Sequence, residues 1–213
     1  MTDAEGGLQR PDILPPELRR NALILLGIVA LWWVVEVIDL AVDHRLDQFG
    51  VRPHELVGLR GIVFAPFLHA GFGHLIGNTV PFLVLGWLVI GAGVGRFVGV
   101  LVIGAVGSGL GMWLLGSSDQ VHIGASGVVF ALLGYLMLRG VFERRIGQIL
   151  VGLLVAMVFG GLLWGVLPTD QAISWQGHLF GFLSGVGAAW FYAGESRRQR
   201  ATRAGPTTPE LGA

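Results

Sequence analysis

Six long apolar stretches, separated by short polar or glycine-rich segments, dominate the pattern of hydrophobic positions along the chain. Runs of about 18 or more apolar residues are typical of transmembrane helices. The pattern therefore predicts an all-α, polytopic membrane protein with a six-span domain at residues 21–193, a polar tail at 1–20 and an arginine-rich polar tail at 194–213. The predicted spans lie at residues 22–40, 73–91, 97–115, 124–138, 148–167 and 176–193.

Basic residues are distributed unevenly between the two sides of this arrangement. The side that carries both termini holds 11 of the 14 basic residues, and the long loop at residues 41–72 holds the other three, Arg45, Arg52 and Arg60. Because cytoplasmic flanks are enriched in Lys and Arg, both termini are predicted to be cytoplasmic. All 14 basic residues are arginine, and glycine and alanine are abundant, which is typical of a high-GC bacterium, so the predicted location is a bacterial plasma membrane. The long loop has apolar residues throughout, so we expect it to be structured and partly lodged in the outer interface.

Composition narrows the possible functions. The chain is 53% hydrophobic and 13% charged, with a mean hydropathy of +0.70, whereas soluble domains carry about 25% charged residues. A formal net charge of zero argues against nucleic acid as a partner. The absence of cysteine excludes disulfides, thiolate nucleophiles and cysteine-ligated metals. No cofactor or metal is predicted, and the expected partners are the lipid bilayer and other membrane proteins.

Three of the predicted spans carry polar side chains at one depth. In a six-span topology the second, fourth and sixth spans all start at the outer face, and His74, Asn78, Ser126 and His178 lie near those starts. At 1.5 Å per residue, each lies roughly 5–10 Å below the outer interface. Polar groups inside a bilayer are costly and tend to face a bundle interior or a site. We therefore expect these four side chains to meet.

Ser126 is the candidate nucleophile, because it lies between small residues at the start of the fourth span. On the sixth span Gly177, Gly181 and Gly185 form a face of small residues, which permits close packing against the fourth span. Such packing would bring His178 within hydrogen-bond reach of Ser126, where it could accept the serine proton. Spans two to six contain no Asp or Glu, so the predicted unit is a Ser126–His178 dyad without a third carboxylate.

His74 and Asn78 are predicted to stabilise an oxyanion. They are four residues apart and therefore share one face of a helix. Together with the backbone N–H of Ser126, they could donate hydrogen bonds to a tetrahedral intermediate. Losing one such donor costs about 2.7–4 kcal/mol of transition-state stabilisation.

These residues, in this order and on these spans, resemble the rhomboid family of intramembrane serine proteases, over about residues 22–193. The resemblance implies a six-helix bundle with a water-filled cavity open to the outside, in the minimal bacterial form. It also implies cleavage of single-span membrane proteins near the top of their transmembrane segments, with small residues preferred at the cut site. The matching pieces are His74-x-x-x-Asn78, Gly124-Ala125-Ser126-Gly127 and Gly177-His178-Leu179-Phe180-Gly181.

The chain departs from the family pattern at two places. Many members have a tyrosine four residues after the serine, stacked on the catalytic histidine, and this chain has Phe130, which keeps a ring for stacking but no hydroxyl. Members often carry a Trp-Arg pair in the first long loop, where this chain has Leu59 and Arg60.

Other interpretations of the same residues are weaker. A catalytically inactive rhomboid-like protein that binds membrane clients is the nearest, but such relatives lack the serine or the histidine. A small-solute transporter would spread its polar groups along the bilayer depth. An aspartyl intramembrane protease would need paired aspartates in the spans, which this chain lacks. The Gly-x-Ser-x-Gly nucleophile motif of soluble hydrolases is excluded, because Val128 occupies its second glycine position. A metalloprotease could in principle use His69, His74, His122 and His178, but the chain has no His-Glu-x-x-His motif.

Overall fold

The computed structural model describes residues 15–168 and 174–203, and within these ranges the chain is helical apart from turns and one isolated antiparallel bridge. Parts of both predicted tails and of the loop before the sixth span lie outside the described residues. The α-helices are α1 (Pro16–Ala41), α2 (Gly61–Phe64), α3 (Phe72–Ile90), α4 (Val94–Leu115), α5 (Ser126–Glu143), α6 (Ile146–Phe159) and α7 (Trp175–Arg203). The 3₁₀ helices are Arg45–Phe49, Leu56–Arg60, Ala65–Phe67 and Gly160–Val166.

The six long helices correspond to the six predicted spans, so the prediction of an all-α polytopic bundle is confirmed. Among the described residues, five helices are long and apolar enough to cross a membrane: α1, α3, α4, α5, and α6 with its 3₁₀ extension to Val166. The helix α7 is less hydrophobic, because its first turn is polar and its last turns carry arginines. It nevertheless makes its most extensive contacts with α5 and α4, in the middle of the bundle.

Local sequence signals account for several helix boundaries. The first turn of α1 begins at Pro16, whose fixed φ suits the first helical position. Gly71 and Gly93 precede α3 and α4 with φ of +93° and +120°, a region that favours glycine. Arg144 follows α5 in the left-handed conformation, with φ of +54°, and thereby ends that helix.

The structure differs from the sequence prediction at the end of the fourth span. The predicted fourth span ends at residue 138, but α5 continues through Arg139 and Glu143, and both of these side chains are buried. Glu143 Oε1 accepts hydrogen bonds from Arg139 at 3.1 Å, from Arg96 at 3.4 Å and from Ser196 at 3.3 Å. Buried charges are tolerated when they are paired, so this cluster ties α4, α5 and α7 together at the end of the bundle away from Ser126.

Small residues let α5 and α7 approach backbone to backbone. A Cβ on Gly181 would collide with the Gly127 carbonyl, and a Cβ on Gly185 would collide with the Ala131 carbonyl. The predicted close packing of these two spans is therefore confirmed at Gly181 and Gly185. The third member of the predicted face, Gly177, instead has Met112 of α4 next to it.

The first long loop is structured, as predicted, and it holds the segment that leads into α5. Val51 and His122 exchange two backbone hydrogen bonds of 2.9 Å. The N–H of Gly124 donates to the carbonyl of Ala65, also at 2.9 Å. The loop between α1 and α3 thus fixes the backbone immediately before Ser126.

Candidate active site

The four candidate site residues line one cavity of about 430 Å³. The cavity lies where the starts of α3, α5 and α7 converge, as the predicted common depth of the polar residues required. Leu162, from the 3₁₀ helix after α6, closes another part of its wall. Its lining comprises Ala70, His74, Gly77, Asn78, Pro81, Ile123, Ser126, Val129, Phe130, Leu162, Ser174 and His178.

Ser126 is the first residue of α5 and is partly buried. Gly124, two residues earlier, has φ of +121°, a value that favours glycine, and the chain turns there immediately before α5 begins. The first N–H groups of a helix have no intrahelical acceptor, and the helix dipole places positive charge there. The start of α5 can therefore donate backbone hydrogen bonds to an oxyanion beside the Ser126 hydroxyl.

His178 is held in one orientation by two contacts. Its ring stacks on Phe130 with a centroid separation of 4.2 Å and an interplanar angle of 10°. Its Nδ1 lies 2.9 Å from the carbonyl oxygen of Gly165, so Nδ1–H donates to that carbonyl. A neutral imidazole protonated at Nδ1 has a free lone pair on Nε2, which is the atom that a general base needs.

Ser126 and His178 share the cavity, but the hydrogen bonds of the described residues do not include one between them. Their helices touch directly beside both residues, because Gly127 and Gly181 are in backbone contact. Hydrogen bonds between catalytic groups are often long in a site without substrate and shorten in the complex. In the structure the two side chains are therefore neighbours in one cavity that are not hydrogen-bonded to each other, and the dyad stays a prediction.

His74 and Asn78 lie on the same face of α3, as the i, i+4 spacing predicts. The N–H of Ala70 donates to His74 Nδ1 at 3.3 Å, so the neutral ring carries its proton on Nε2. Gly124 allows that end of the ring to approach, since a Cβ there would be 2.8 Å from His74 Nε2. Asn78 donates one amide hydrogen to the His74 carbonyl at 3.2 Å and keeps a second donor.

His69 packs against His74 on this side of the cavity. In the sequence it is one of four histidines that a metalloprotease could in principle use, and an interface or loop position is favoured over that role. Its ring is 1% exposed and lies between Trp32 and His74, at centroid separations of 5.5 and 5.3 Å. Within the described residues, neither ring nitrogen makes a hydrogen bond of good geometry. The position of His69 five residues before His74 was visible in the sequence, but its burial depends on Trp32 of α1, which no local pattern reveals.

Lowering the pH should destabilise the protein through His69. Burial, and to a smaller extent the neighbouring His74, lower the pKa of His69 from 6.5 to about 4. The unfolded chain takes up a proton here while the folded chain keeps the ring neutral, so this contribution is complete above pH 6.5 and is lost as the pH falls towards 4. Between about pH 7 and pH 5 the loss is about 2 kcal/mol.

The measurement compares the free energy of unfolding in detergent micelles at these two pH values for the wild type and His69→Phe. Phenylalanine keeps a ring between Trp32 and His74 but does not titrate. We expect the loss of stability at the lower pH to be smaller in the variant, since all other titrating groups are common to both proteins. An equal loss in the two proteins would contradict the assignment of this pH dependence to His69.

Known proteins that are similar to this chain indicate one family. The Rhomboid domain family matches residues 57–195. Rv1337, an uncharacterized protein of Mycobacterium tuberculosis, is 44% identical over 187 residues, which cover 84% of this chain and 78% of the relative. ML1171, an uncharacterized protein of Mycobacterium leprae, is 41% identical over 200 residues, covering 90% and 79%. RHOMBOID-like protein 5 of Arabidopsis thaliana is 30% identical over 153 residues, covering 68% and 47%. The chain therefore belongs to the rhomboid family of multi-pass membrane proteins.

Proposed function

We propose that this protein is an intramembrane serine endopeptidase that cleaves the transmembrane segments of other membrane proteins near the outer face. One observation carries the proposal: a serine at a helix N-terminus, a histidine with a free Nε2, and two further polar side chains from a third helix line the same cavity. These are the groups that acyl transfer to a serine needs, namely a nucleophile, a base and oxyanion donors.

In the proposed reaction, Ser126 Oγ attacks the carbonyl carbon of the scissile peptide while His178 Nε2 accepts the serine proton. The carbonyl oxygen becomes an oxyanion. Its donors are His74 Nε2–H, the second amide hydrogen of Asn78 and the backbone N–H at the start of α5. Each donor is worth about 2.7–4 kcal/mol in the transition state.

The tetrahedral intermediate then collapses. His178 gives its proton to the leaving amine, and the other half of the substrate remains as an ester on Ser126. A water molecule attacks this ester with His178 again acting as the base, which releases the acid product and restores the serine. The carbonyl of Gly165 takes the place that a carboxylate holds in a Ser-His-Asp triad, because it keeps the Nδ1 proton in position.

The proposed setting is the plasma membrane of a bacterium, which the mycobacterial relatives support. Both termini are placed in the cytoplasm because arginine is in excess on that side. In this orientation the starts of α3, α5 and α7 face outwards, so the cavity receives water and substrate from the outer side. The proposed partners are membrane proteins with a single transmembrane helix.

Co-incubation with a panel of single-span model substrates tests the proposal, with cleavage scored for the wild type and for Ser126→Ala. The alternative is a protein that binds membrane clients without cutting them, and the missing hydrogen bond between Ser126 and His178 is the observation that favours it. Client binding without cleavage in the wild type would support the alternative, whereas cleavage that depends on Ser126 would exclude it.

The route of substrate entry is proposed to lie between α6 and α3. Among the residues of α6, only Gly152 and Val155 are buried, and both glycines at the start of the following 3₁₀ helix have open space around them. This segment is therefore weakly held on the side away from α5. A substrate helix has to enter sideways from the lipid, so separation of α6 from α3 would admit it.

A cross-link across this route should block cleavage of a full transmembrane substrate and spare probe labelling of Ser126. Cysteines placed at Gly77 and Leu162, which line the cavity from α3 and from the segment after α6, can be joined by a bifunctional maleimide, since the chain has no native cysteine. Each single-cysteine variant treated with the same reagent is the control. Unimpaired cleavage by the cross-linked protein would rule out this entry route.

A further inference from the structure

A second group of metal-ligating side chains lies outside the cavity, where the end of α1 meets the first loop. It consists of Asp39 on the last turn of α1, His44 in the following turn and Asp47 in the 3₁₀ helix Arg45–Phe49. Asp39 Oδ2 lies 3.4 Å from His44 Nδ1, and Asp47 Oδ2 lies 4.0 Å from the same nitrogen. One ligand atom from each residue lies within 4.8 Å of the other two.

The carboxylate of Asp39 is buried and only half satisfied. Its side chain is 1% exposed. Oδ1 accepts a 2.7 Å hydrogen bond from the N–H of Leu46, whereas Oδ2 is buried without a hydrogen-bond partner among the described residues. This oxygen points at His44 Nδ1 and into the space shared with Asp47. Burying a carboxylate oxygen without a hydrogen bond is costly, so the arrangement favours a positively charged ligand at this position.

Further negative charge adds to this requirement. Glu36, one turn before Asp39, is 2% exposed, and its Oε2 has no hydrogen-bond partner in the described part of the chain. Asp47 Oδ1 is likewise buried without a hydrogen-bond partner among the described residues. Across residues 15–168 and 174–203, the ion pairs of Asp39 and Asp47 are made with His44 alone. Two carboxyl groups therefore share one imidazole, and a third buried carboxyl group, that of Glu36, lies one turn away on α1.

We propose that Asp39, His44 and Asp47 bind a divalent transition-metal ion of the zinc class. Imidazole nitrogen with carboxylate oxygen suits zinc, whereas calcium and magnesium prefer all-oxygen sites. Tetrahedral zinc with bonds of 2.0–2.2 Å holds its ligand atoms about 3.4 Å apart. The separation of Asp39 and His44 already has this value, and Asp47, whose side chain is 29% exposed, can close the remaining gap.

Water completes such a site, because the side chain of His44 is 46% exposed. A bound ion would fasten the end of α1 to the first loop. The helix α1 also contacts the segment before α3, where Trp32 packs against His69. We therefore expect the metal to stabilise the first loop, the element that also holds the backbone of Gly124.

The experiment uses the full chain in detergent, without a histidine tag and stripped with a chelator, and titrates it with zinc chloride. Bound zinc is measured by equilibrium dialysis and the thermal unfolding midpoint is recorded in parallel. We expect about one zinc ion per chain and a rise in the midpoint that a chelator reverses. Asp47→Asn and His44→Gln, which change partly exposed side chains, should weaken binding by about 10-fold or more.

The matched controls are Asp43→Asn and His54→Gln, an aspartate and a histidine of the same loop that lie outside the group. Both should bind zinc as the wild type does. Absence of zinc binding, or binding that Asp47→Asn and His44→Gln leave unchanged, would overturn the proposal. Equal binding of calcium or magnesium in a competition assay would overturn the assignment of the metal class.

Discussion

Replacing Ser126 with alanine should abolish both cleavage of single-span substrates and covalent labelling by a serine-directed fluorophosphonate. The Ser126 hydroxyl is the oxygen that lies both in the cavity with His178 and at the N-terminus of α5. Removal of a serine nucleophile from a serine–histidine unit costs on the order of 10⁶-fold in kcat. The variant should therefore show no detectable turnover in a gel-based cleavage assay.

Ser108→Ala is the matched control for this experiment. Ser108 is a buried serine of α4 that contacts Gly127, yet its hydroxyl donates to the carbonyl of Ala105 and does not line the cavity. This variant should keep both labelling and cleavage. If Ser126→Ala is labelled and cleaves as well as the wild type, the proposed mechanism is wrong at its first step.

In the proposed mechanism, backbone groups rather than side chains stabilise the oxyanion, fix the turn before the nucleophile and orient the base. The start of α5 offers N–H groups to the oxyanion, the carbonyl of Ala65 fixes the turn before Ser126, and the carbonyl of Gly165 fixes the tautomer of His178. In a lipid environment, a buried carboxylate costs more than a buried carbonyl. This difference gives a physical reason why a membrane-embedded site would orient its histidine with a backbone carbonyl.

The predicted spans and the common depth of the site residues follow from strong physical constraints. Each bilayer-crossing helix must be apolar over a fixed length. The hydrophobic pattern therefore located all six long helices to within a few residues, when α6 is counted with its 3₁₀ extension to Val166. The exceptions are the start of α1 and the ends of α5 and α7. The helix α7 continues to Arg203 because arginine, glutamine and alanine are good helix formers. Hydropathy predicts which residues of a helix lie in the lipid, but it does not predict where the helix ends once it has left the membrane.

Several features of the site could not be predicted, for a different reason. The acceptor for His178 is a backbone carbonyl, which every residue possesses, so Gly165 carries no signature in the sequence. The burial of Glu143 depends on Arg96, 47 residues away. Likewise the burial of Asp39, which is 1% exposed, depends on the first loop, where the N–H of Leu46 donates to its carboxylate. Each of these contacts joins distant parts of the chain, and local patterns contain no information about such partners.

Replacing Gly165 with alanine should lower turnover by about 100-fold with little change in stability. A Cβ at this position would be 2.9 Å from His178 Nδ1 and 3.4 Å from Phe130 Cζ. The added methyl group would have to displace the imidazole or the carbonyl that orients it, and a displacement of about 1 Å in a catalytic group can cost about 10²-fold in rate. Cleavage rates and thermal unfolding midpoints, measured on the same samples, separate the two effects.

Gly161→Ala is the control, because Gly161 belongs to the same 3₁₀ helix and a Cβ added there would have no neighbour within 4 Å. Like Gly165→Ala, it replaces a glycine of this 3₁₀ helix and so restricts the backbone to a similar extent, but it adds no group near His178. A positioning role for Gly165 predicts that its alanine variant loses kcat and keeps KM, since the substrate-binding surface is unchanged. Equal kcat values for the two alanine variants would mean that the Gly165–His178 contact does not orient the base, and the tautomer assigned to His178 would then lack its support.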